Sequence, residues 1–404
     1  MERMNFGRLS AGRAGEMPKT PISRGPDTPT PDTRHSSPRV AVIGAGIVGA
    51  AVALRLAEKG VETLLLDGAE PGSGATGASL GGVTAREQTR RDFFELCVAG
   101  MAEYRRLAWK LAPAPWYRAD GSLAWVREPA GAAALAERVE RLREWGYAAE
   151  LLPAGRVLHD LQPGLAVSDP EALVAWFSEE AWVEPLAMTR RLVEGVRNAG
   201  GRVLTGAERE VVAIEVEDAR VRSVRLGGGQ AIPVSAVVNA AGVDADRVAA
   251  LVGRRIAVTA PVSLALTAEL AEGRDPLRRP LRVDRVFTRP DGPGRVMLVP
   301  QVDLGDDEIG PLPLDDARVV EALALAAEAV PALAGARAAS ADVAAWPLMA
   351  DGLPCVGAVP GIEGYFEAVT DYGVTLAALI GRSLADEVMG QAANALFAPF
   401  RPRR

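Results

Sequence analysis

The segment between residues 39 and 67 constrains the fold of this chain more than any other. Arg39-Val40-Ala41-Val42-Ile43 is a short β-branched run, typical of a strand buried in a parallel sheet. Gly44-Ala45-Gly46-Ile47-Val48-Gly49 follows directly, and residues 50–59 then carry small and apolar side chains at helical spacing. Residues 61–67 predict a second strand. The order is therefore strand, glycine-rich turn, helix and strand within about thirty residues, the length of one such unit.

Each glycine of this turn has a separate physical role in a Rossmann-like, dinucleotide-binding unit. Gly44 permits the tight turn, Gly46 lets the backbone approach a pyrophosphate, and Gly49 lets the helix lie close to the strand. The helix begins at Ile47 and Val48, where unpaired N–H groups and the positive end of the helix dipole favour phosphate. The spacing therefore predicts an adenine dinucleotide at this turn.

Asp67 ends the second strand, 18 residues after Gly49, where its carboxylate can accept hydrogen bonds from both ribose hydroxyls and disfavours a 2′-phosphate. The next segment, from Gly68 to Val83, has the sequence GAEPGSGATGASLGGV. An enzyme with only a nicotinamide cofactor would not need such a small-residue loop, whereas a longer cofactor could run through it. The loop therefore favours FAD, and an NAD-dependent dehydrogenase remains the alternative.

Composition excludes several other classes of function. The 404 residues carry a net charge of -7 with both signs interleaved, so nucleic acid is not expected as a partner. We find no apolar run of 18 or more residues and no secretory signal, so we expect no membrane span and a cytoplasmic location. Cys97 and Cys355 cannot form a disulfide framework, and with His35 and His159 they give no spacing for a metal site.

The rest of the chain predicts a mixed α/β fold with two domains. Residues 1–38 lack apolar periodicity and predict a disordered tail, with an extension upstream of a start at Met17 as the alternative. Helical patterns recur at about 84–112, 130–145, 186–199, 316–329 and 375–389, and residues 258–300 alternate as in an antiparallel sheet. We assign 39–115, 150–256 and 340–404 to a discontinuous FAD-binding domain, and 116–149 and 257–339 to an antiparallel-sheet substrate domain.

Several dispersed motifs resemble the D-amino acid oxidase superfamily, which includes glycine oxidase, sarcosine oxidase and related amine dehydrogenases. Thr76, Ser79, Gly81 and Gly82 match its S/T-x-x-S-x-G-G pattern over the flavin. Five further segments resemble family motifs and occur in the same order as in the family. They are residues 115–123 (PWYRADGSL), 183–185 (VEP), 237–246 (VVNAAGVDAD), 351–357 (DGLPCVG) and 370–376 (TDYGVTL). The resemblance covers nearly the whole chain from residue 39.

The resemblance implies further cofactor contacts, at Gly68, Val212, Ala241, Gly242 and Thr375. Gly373 and Val374 open a predicted amphipathic helix whose first N–H groups can point at the flavin ring, where negative charge accumulates on reduction. An ordinary helix that begins with glycine is the alternative explanation of this pattern. The family's chemistry implies that a substrate C–H passes to flavin N5 as hydride and that an amine becomes an imine.

Two departures from the family pattern concern the substrate. Trp346 occupies the position where relatives that oxidise amino acids carry an arginine for the substrate carboxylate, and Asp371-Tyr372 replaces a histidine-containing pair. An indole N–H cannot replace a bidentate guanidinium, so we hypothesise a pocket for a small amine or modified amino acid without a free carboxylate. The alternative is that Trp346 belongs to the core and Asp371 caps a helix. Arg86 and Arg289 remain candidate carboxylate anchors.

The sequence does not distinguish between several electron acceptors or between several classes of substrate. The chain has only Lys19, Lys59 and Lys110, none in the second half, where sarcosine oxidase-like relatives place an oxygen-activating lysine. Oxygen, a quinone or an electron-accepting protein could therefore take the electrons. Cys355 lies seven residues beyond the position of the flavin-linked cysteine of relatives, so we expect FAD to be non-covalent. Oxidation of a hydroxy acid or other alcohol, and a flavin-carrying subunit of a complex, are the alternatives in function.

Overall fold

The fold is centred on two sheets of different kinds. They are seen in a computed structural model that describes residues 39–403 except 164, 166–168, 274–276 and 305–308. The tail predicted for residues 1–38 lies outside the described residues. In the first sheet the order of strands is β22 (Cys355–Ala358), β23 (Tyr365–Val369), β13 (Ala236–Asn239), β1 (Arg39–Ile43), β2 (Glu62–Asp67) and β9 (Arg202–Thr205).

This first sheet is parallel except for its edge strand β22, which runs antiparallel to β23. Both of its faces are covered, which explains the continuous apolar runs of β1 and β2. Val40 and Val42 contribute to the core that includes helices α1 (Ile47–Glu58), α5 (Pro185–Asn198) and α8 (Gly373–Val388). Ala41 and Ile43 belong to the core on the other face, with a small sheet of β10 (Val211–Glu217), β11 (Arg220–Leu226) and β12 (Ala231–Pro233).

The second sheet has nine strands, and every pair of neighbours is antiparallel except β16 and β5. Helix α7 (Ala317–Ala329) packs against one face, and the opposite face is turned toward the dinucleotide-binding turn. The order of strands is β19 (Gly310–Pro311), β20 (Arg337–Ala345), β15 (Val262–Glu269), β18 (Arg295–Pro300), β17 (Val286–Pro290), β16 (Leu281–Val283), β5 (Ser122–Trp125), β7 (Leu173–Phe177) and β6 (Ala149–Pro153).

Smaller elements connect the two sheets. One three-stranded sheet contains β3 (Gly82–Val83), β8 (Ala181–Val183) and β4 (Tyr117–Arg118), and one strand pair contains β14 (Val258–Thr259) and β21 (Leu348–Met349). The remaining α-helices of the described residues are α2 (Arg91–Lys110), α3 (Pro129–Glu144), α4 (Ala154–Arg156) and α6 (Ala245–Ala250). Within these residues we find no helix long and apolar enough to cross a membrane.

The predicted fold class is confirmed, because a parallel sheet and an antiparallel sheet make up the molecule. One helix begins later than predicted, at Arg91 instead of residue 84, because residues 82–90 form β3 and a segment that pairs with the first turn of α8. Strands β6 and β7 belong to the antiparallel sheet although residues 150–256 were assigned to the FAD-binding domain. The division into these two domains stays a prediction.

Candidate functional site

An elongated cavity of about 810 Å³ lies where β1, β2 and β13 end. One end is lined by the glycine turn and the strand ends of the parallel sheet. The other is lined by strands β15, β17, β18 and β20 of the nine-stranded sheet, and the first turn of α8 borders the space between them. A crevice at the carboxyl ends of parallel strands is the usual place for a ligand in such a sheet.

Close backbone contacts hold the glycine turn in place. Gly44 has φ +103°, and a Cβ atom there would lie 2.3 Å from the carbonyl oxygen of Ala240 on the neighbouring chain segment. A Cβ atom on Gly49 would lie 1.9 Å from the carbonyl oxygen of Gly44. Neither contact is possible for another residue without a shift of the backbone, so the two glycines allow α1, β1 and the segment after β13 to meet.

The start of α1 and Asp67 are fixed by hydrogen bonds across the turn. The Ile47 N–H donates to Oγ1 of Thr76 at 3.1 Å, which ties the small-residue loop to the helix. Oδ2 of Asp67 accepts from the N–H of Ala45 at 2.6 Å, and Oδ1 accepts from the N–H of Ala69 at 2.9 Å. Each carboxylate oxygen retains a second lone pair for a ligand hydroxyl.

Three charged residues at this end were not identified from the sequence. Arg247 forms ion pairs with Glu210 at 2.9 Å and with Asp244 at 3.5 Å, and all three line the cavity. Glu210 follows β9, whereas Asp244 and Arg247 follow β13. In the sequence, only their position after predicted strands could have indicated that they lie near a ligand. Val211 also lines this end, whereas the predicted contact Val212 points away and is 45% exposed.

The small-residue loop is joined to α8 at the middle of the cavity. Oγ1 of Thr375 donates to the carbonyl oxygen of Gly82 at 3.1 Å and accepts from the N–H of Thr84 at 3.3 Å. Gly373, Val374 and Thr375 line the cavity, and the first N–H groups of a helix have no partner inside the helix. The positive end of α8 therefore faces the cavity.

Most of the predicted cofactor residues meet at this one cavity. Gly49 and Gly81 do not line it and act through packing; a Cβ atom on Gly81 would lie 2.1 Å from the carbonyl oxygen of Val183. The predicted cofactor residues that line the cavity are Gly44, Gly46, Ile47, Val48, Asp67, Gly68, Thr76, Ser79, Gly82, Ala241, Gly242, Gly373, Val374 and Thr375. Two helix N-termini, a glycine cradle and a carboxylate along one elongated space fit an adenine dinucleotide with a flavin ring.

The other end of the cavity contains the predicted substrate residues Trp346, Asp371 and Tyr372. Phe287, on β17, also lines this end and was not singled out from the sequence. Apart from Asp371, the charged lining residues of the described chain lie at the end near Asp67. The substrate end therefore combines aromatic and apolar walls with one carboxylate.

Burial changes the acidity of this carboxyl group. Desolvation raises the pKa of Asp371 to about 6, although its Oδ1 accepts a hydrogen bond from the N–H of Tyr372 at 3.0 Å. The Tyr372 ring packs edge-on against Phe93, with 5.2 Å between centroids, and burial raises the pKa of its hydroxyl. Tyr372 is therefore a neutral aromatic neighbour of a carboxylate that forms no ion pair within the described part of the chain.

The alternative roles for Trp346 and Asp371 have little support in the geometry. Trp346 is half-buried and does not belong to any of the hydrophobic clusters of the described residues. Tyr372, and not Asp371, is the N-cap residue of α8, and its side chain makes no capping hydrogen bond.

Neither candidate carboxylate anchor lines the cavity. Arg86 is buried and paired with the buried Glu180, with 2.7 Å between Nη1 and Oε2, and Ser122 and Tyr147 also bond to this carboxylate. Burial by itself lowers the pKa of Arg86, but the negative charges of Glu180 and Glu87 hold it above its ordinary value. Arg86 is therefore already paired with a protein carboxylate, that of Glu180.

Arg289 differs from Arg86 in its surroundings. It is buried over the ring of Trp182, 5.4 Å from the centroid, and donates to Oδ1 of the partly exposed Asp291 at 2.9 Å. Burial lowers its pKa, and its Nε has no hydrogen-bond partner among the described residues. It is a poorly compensated cation that is not among the residues lining the cavity.

Neither the two cysteines nor the described histidine is among the residues that line this cavity. Cys97 and Cys355 are buried free thiols whose pKa is raised by desolvation. The side chain of His159 is 88% exposed and contacts Asp160. We find no group of three or more potential metal ligands within the described residues.

Comparisons with known proteins agree with this architecture. Residues 39–387 match the DAO family, described as FAD dependent oxidoreductase. The chain is 27% identical to a glycine oxidase of Bacillus licheniformis, over 86% of this chain and 92% of the relative. It is 26% identical to an uncharacterized oxidoreductase of Bacillus subtilis, over 89% and 97% respectively. The crystal structure of glycine oxidase from Geobacillus kaustophilus superposes with a TM-score of 0.81 at 23% identity, covering 91% of this chain and 99% of that one.

Proposed function

The chain belongs to the DAO family of FAD-dependent oxidoreductases, which act on CH–NH bonds, and we propose that its substrate is a small amine or modified amino acid without a free carboxylate. The product would be an imine. The family match from residue 39 to residue 387 removes the NAD-dependent alternative.

The charge of the substrate end carries this proposal. Asp371 is the sole charged residue lining that end among the described residues, and no lysine, arginine or histidine is among the residues that line it. A substrate carboxylate in this position would be buried next to another carboxylate without a cation, which is costly. A protonated amine would instead pair with Asp371 and lie against the aromatic faces of Trp346 and Phe287.

The protein supplies orientation, charge and exclusion of water. Once the substrate ammonium group had given a proton to the Asp371 carboxylate, bound FAD would supply the ring that accepts a hydride from the carbon next to nitrogen, which leaves a protonated imine. Gly373, Val374 and Thr375 present the N–H groups of α8 to the middle of the cavity, where they can stabilise negative charge. Asp371 fixes the nitrogen end of the substrate, and the apolar strands β15 and β18 keep its surroundings dry.

The lining also supports non-covalent FAD and leaves the choice of acceptor between oxygen, a quinone and an electron-accepting protein. No cysteine, histidine or lysine lies among the described lining residues. Lys59 and Lys110 form ion pairs elsewhere, with Asp386 and Glu58.

Two buried free thiols are compatible with a reducing compartment, and we propose the cytoplasm.

An anaerobic screen of matched compounds tests the proposal. FAD-loaded protein would be mixed with small amines, the same amines bearing an α-carboxylate, and the corresponding alcohols and hydroxy acids. We expect loss of the 450 nm flavin absorbance with the amines alone, and recovery on admission of air or of a quinone. Reduction by the carboxylated compounds alone would contradict the proposal, and reduction by alcohols alone would establish the second candidate function.

A further inference from the structure

We propose that the chain has a second ligand site, which binds a small molecule carrying phosphate groups. The site is a cleft of about 620 Å³ that shares no lining residue with the dinucleotide cavity. Its walls come from residues 252–257 after α6, from 349–355, from the turn between β22 and β23, and from residues 399–403. The volume falls within the range of about 300–1,000 Å³ found for small-molecule sites.

Charge is the first argument for an anionic ligand. Arg254, Arg255, Arg401 and Arg403 line the cleft, and Asp351 is the sole carboxylate among the described lining residues. Oδ1 of Asp351 accepts a hydrogen bond from a backbone N–H at 3.1 Å and so is partly used within its own turn. Three of these guanidinium groups also pair with carboxylates outside the lining, but all four present N–H donors to one concave space, which favours a ligand with several negatively charged oxygens.

Two of these guanidinium groups are held rigidly from behind the cleft. Nε of Arg254 donates to Oε1 of the fully buried Glu367 at 2.6 Å, and Nη1 of Arg401 donates to Oε2 of Glu387 at 2.6 Å. Neither glutamate lines the cleft. Nη1 of Arg254 and Nε of Arg401 form no hydrogen bond within the described residues, so each fork keeps donors for a ligand. Rigid planar forks suit phosphate oxygens.

The other two arginines are exposed and available to a ligand. The Arg255 side chain is 82% exposed and pairs with Asp246 at 2.7 Å, an arrangement that contributes little stability at a surface. Arg403 is exposed and forms no ion pair within the described residues. Both can turn toward a phosphate without disturbing the core.

The remaining walls of the cleft are apolar, formed in part by Ile256, Leu353 and Ile362. They would contact an uncharged portion of the ligand. The chemical class is therefore a phosphorylated small molecule with an apolar body, not a single carboxylate, because one carboxylate cannot use four guanidinium groups.

Isothermal titration of the FAD-saturated full-length protein with pyrophosphate tests this site, since FAD already occupies the other pyrophosphate-binding turn. We expect saturable binding that weakens with added salt, about tenfold weaker binding in Arg255→Ala and in Arg403→Ala, and about a hundredfold in the double variant. Arg156→Ala is the matched control, because Arg156 is 63% exposed and paired at 3.8 Å outside the cleft. It should bind as the unmodified protein does.

Three results would overturn the proposal. The first is a titration whose heat of binding does not saturate. The second is a double variant that binds pyrophosphate as tightly as Arg156→Ala does. The third is release of FAD in proportion to added pyrophosphate, measured by the 450 nm absorbance. The last result would show that pyrophosphate competes for the dinucleotide cavity.

Discussion

The two ends of the main cavity are built in different ways. The end near Asp67 comes largely from one continuous segment, in which β1, the glycine turn, α1 and β2 follow one another. The substrate end is assembled from strands β15, β17, β18 and β20 together with the segment before α8, which are far apart in sequence. At the end near Asp67, backbone segments lie so close together that no side chain larger than that of glycine fits between them. At the substrate end, the binding properties depend on the identity of a few side chains.

This difference predicts two kinds of response to substitution. Changes at the glycine turn should abolish cofactor binding altogether, because the backbone cannot adjust. Changes at the substrate end should leave the flavin in place and alter only affinity and specificity.

Gly44→Ala should give protein without bound flavin. Its Cβ would lie 2.3 Å from the carbonyl oxygen of Ala240 at φ +103°, a strain that we expect to cost about 4 kcal/mol or more. Gly155→Ala is the control, since its Cβ would meet Pro170 at an ordinary 3.6 Å. The ratio of 450 nm to 280 nm absorbance after purification measures the effect. Equal flavin content in the two variants would remove the proposed distinction between the ends.

Arg86→Met should destabilise the fold by about 3–5 kcal/mol, because the buried carboxylate of Glu180 would lose its cation. Arg289→Met should cost less, since Asp291 is partly exposed to water. Urea denaturation of the FAD-loaded proteins measures both values. If Arg86→Met kept full stability but lost binding of amino acids, Arg86 would be a substrate anchor and our assignment would be wrong.

The affinity for a cationic amine should depend on pH through Asp371. Its pKa of about 6 in the free protein means that the carboxyl group is neutral at lower pH, so affinity should fall as the pH drops below about 7 and level off about tenfold lower near pH 4. Above about pH 7 the group is ionised and affinity should be constant while the amine stays protonated. Asp371→Asn should bind about tenfold more weakly at pH 8 and show no such slope. Flavin difference spectra provide the dissociation constants.

Trp346→Leu should have the smallest effect, about two- to fivefold weaker amine binding, because a cation over an aromatic face is stabilised by about 0.5–1 kcal/mol. Trp346→Phe retains an aromatic face and should bind nearly as the unmodified protein does. The same difference spectra distinguish the two variants. A loss of folding in Trp346→Leu, without a change in amine affinity, would place this side chain in the core instead.

The parts of the fold predicted correctly from sequence are those with local signals. The β-branched run of Arg39–Ile43, the turn from Gly44 to Gly49 and the helix from Gly373 each carry their pattern within a few residues. The helix expected from residue 84 began at Arg91 because Thr84 bonds to Thr375. The two residues are 291 positions apart in the sequence, so the local pattern around Thr84 could not predict this contact.

The candidate site shows the same limit. Asp67 and the glycines could be identified from spacing, whereas Glu210 and Arg247 meet across two loops. Arg86 and Arg289 looked equivalent in the sequence, and only their buried neighbours distinguish them.

By itself, the sequence determined that this chain forms a βαβ turn for an adenine dinucleotide and a helix whose N-terminus can face a flavin, because both depend on short-range backbone geometry. Tertiary structure alone decided that, among the described residues, no cation lines the substrate end beside Asp371, that Arg86 is paired with Glu180, and that four arginines line a second cleft. The physical reason is that the energy of a charge depends on its burial and on its nearest partners in space, and these come from segments far apart in the chain.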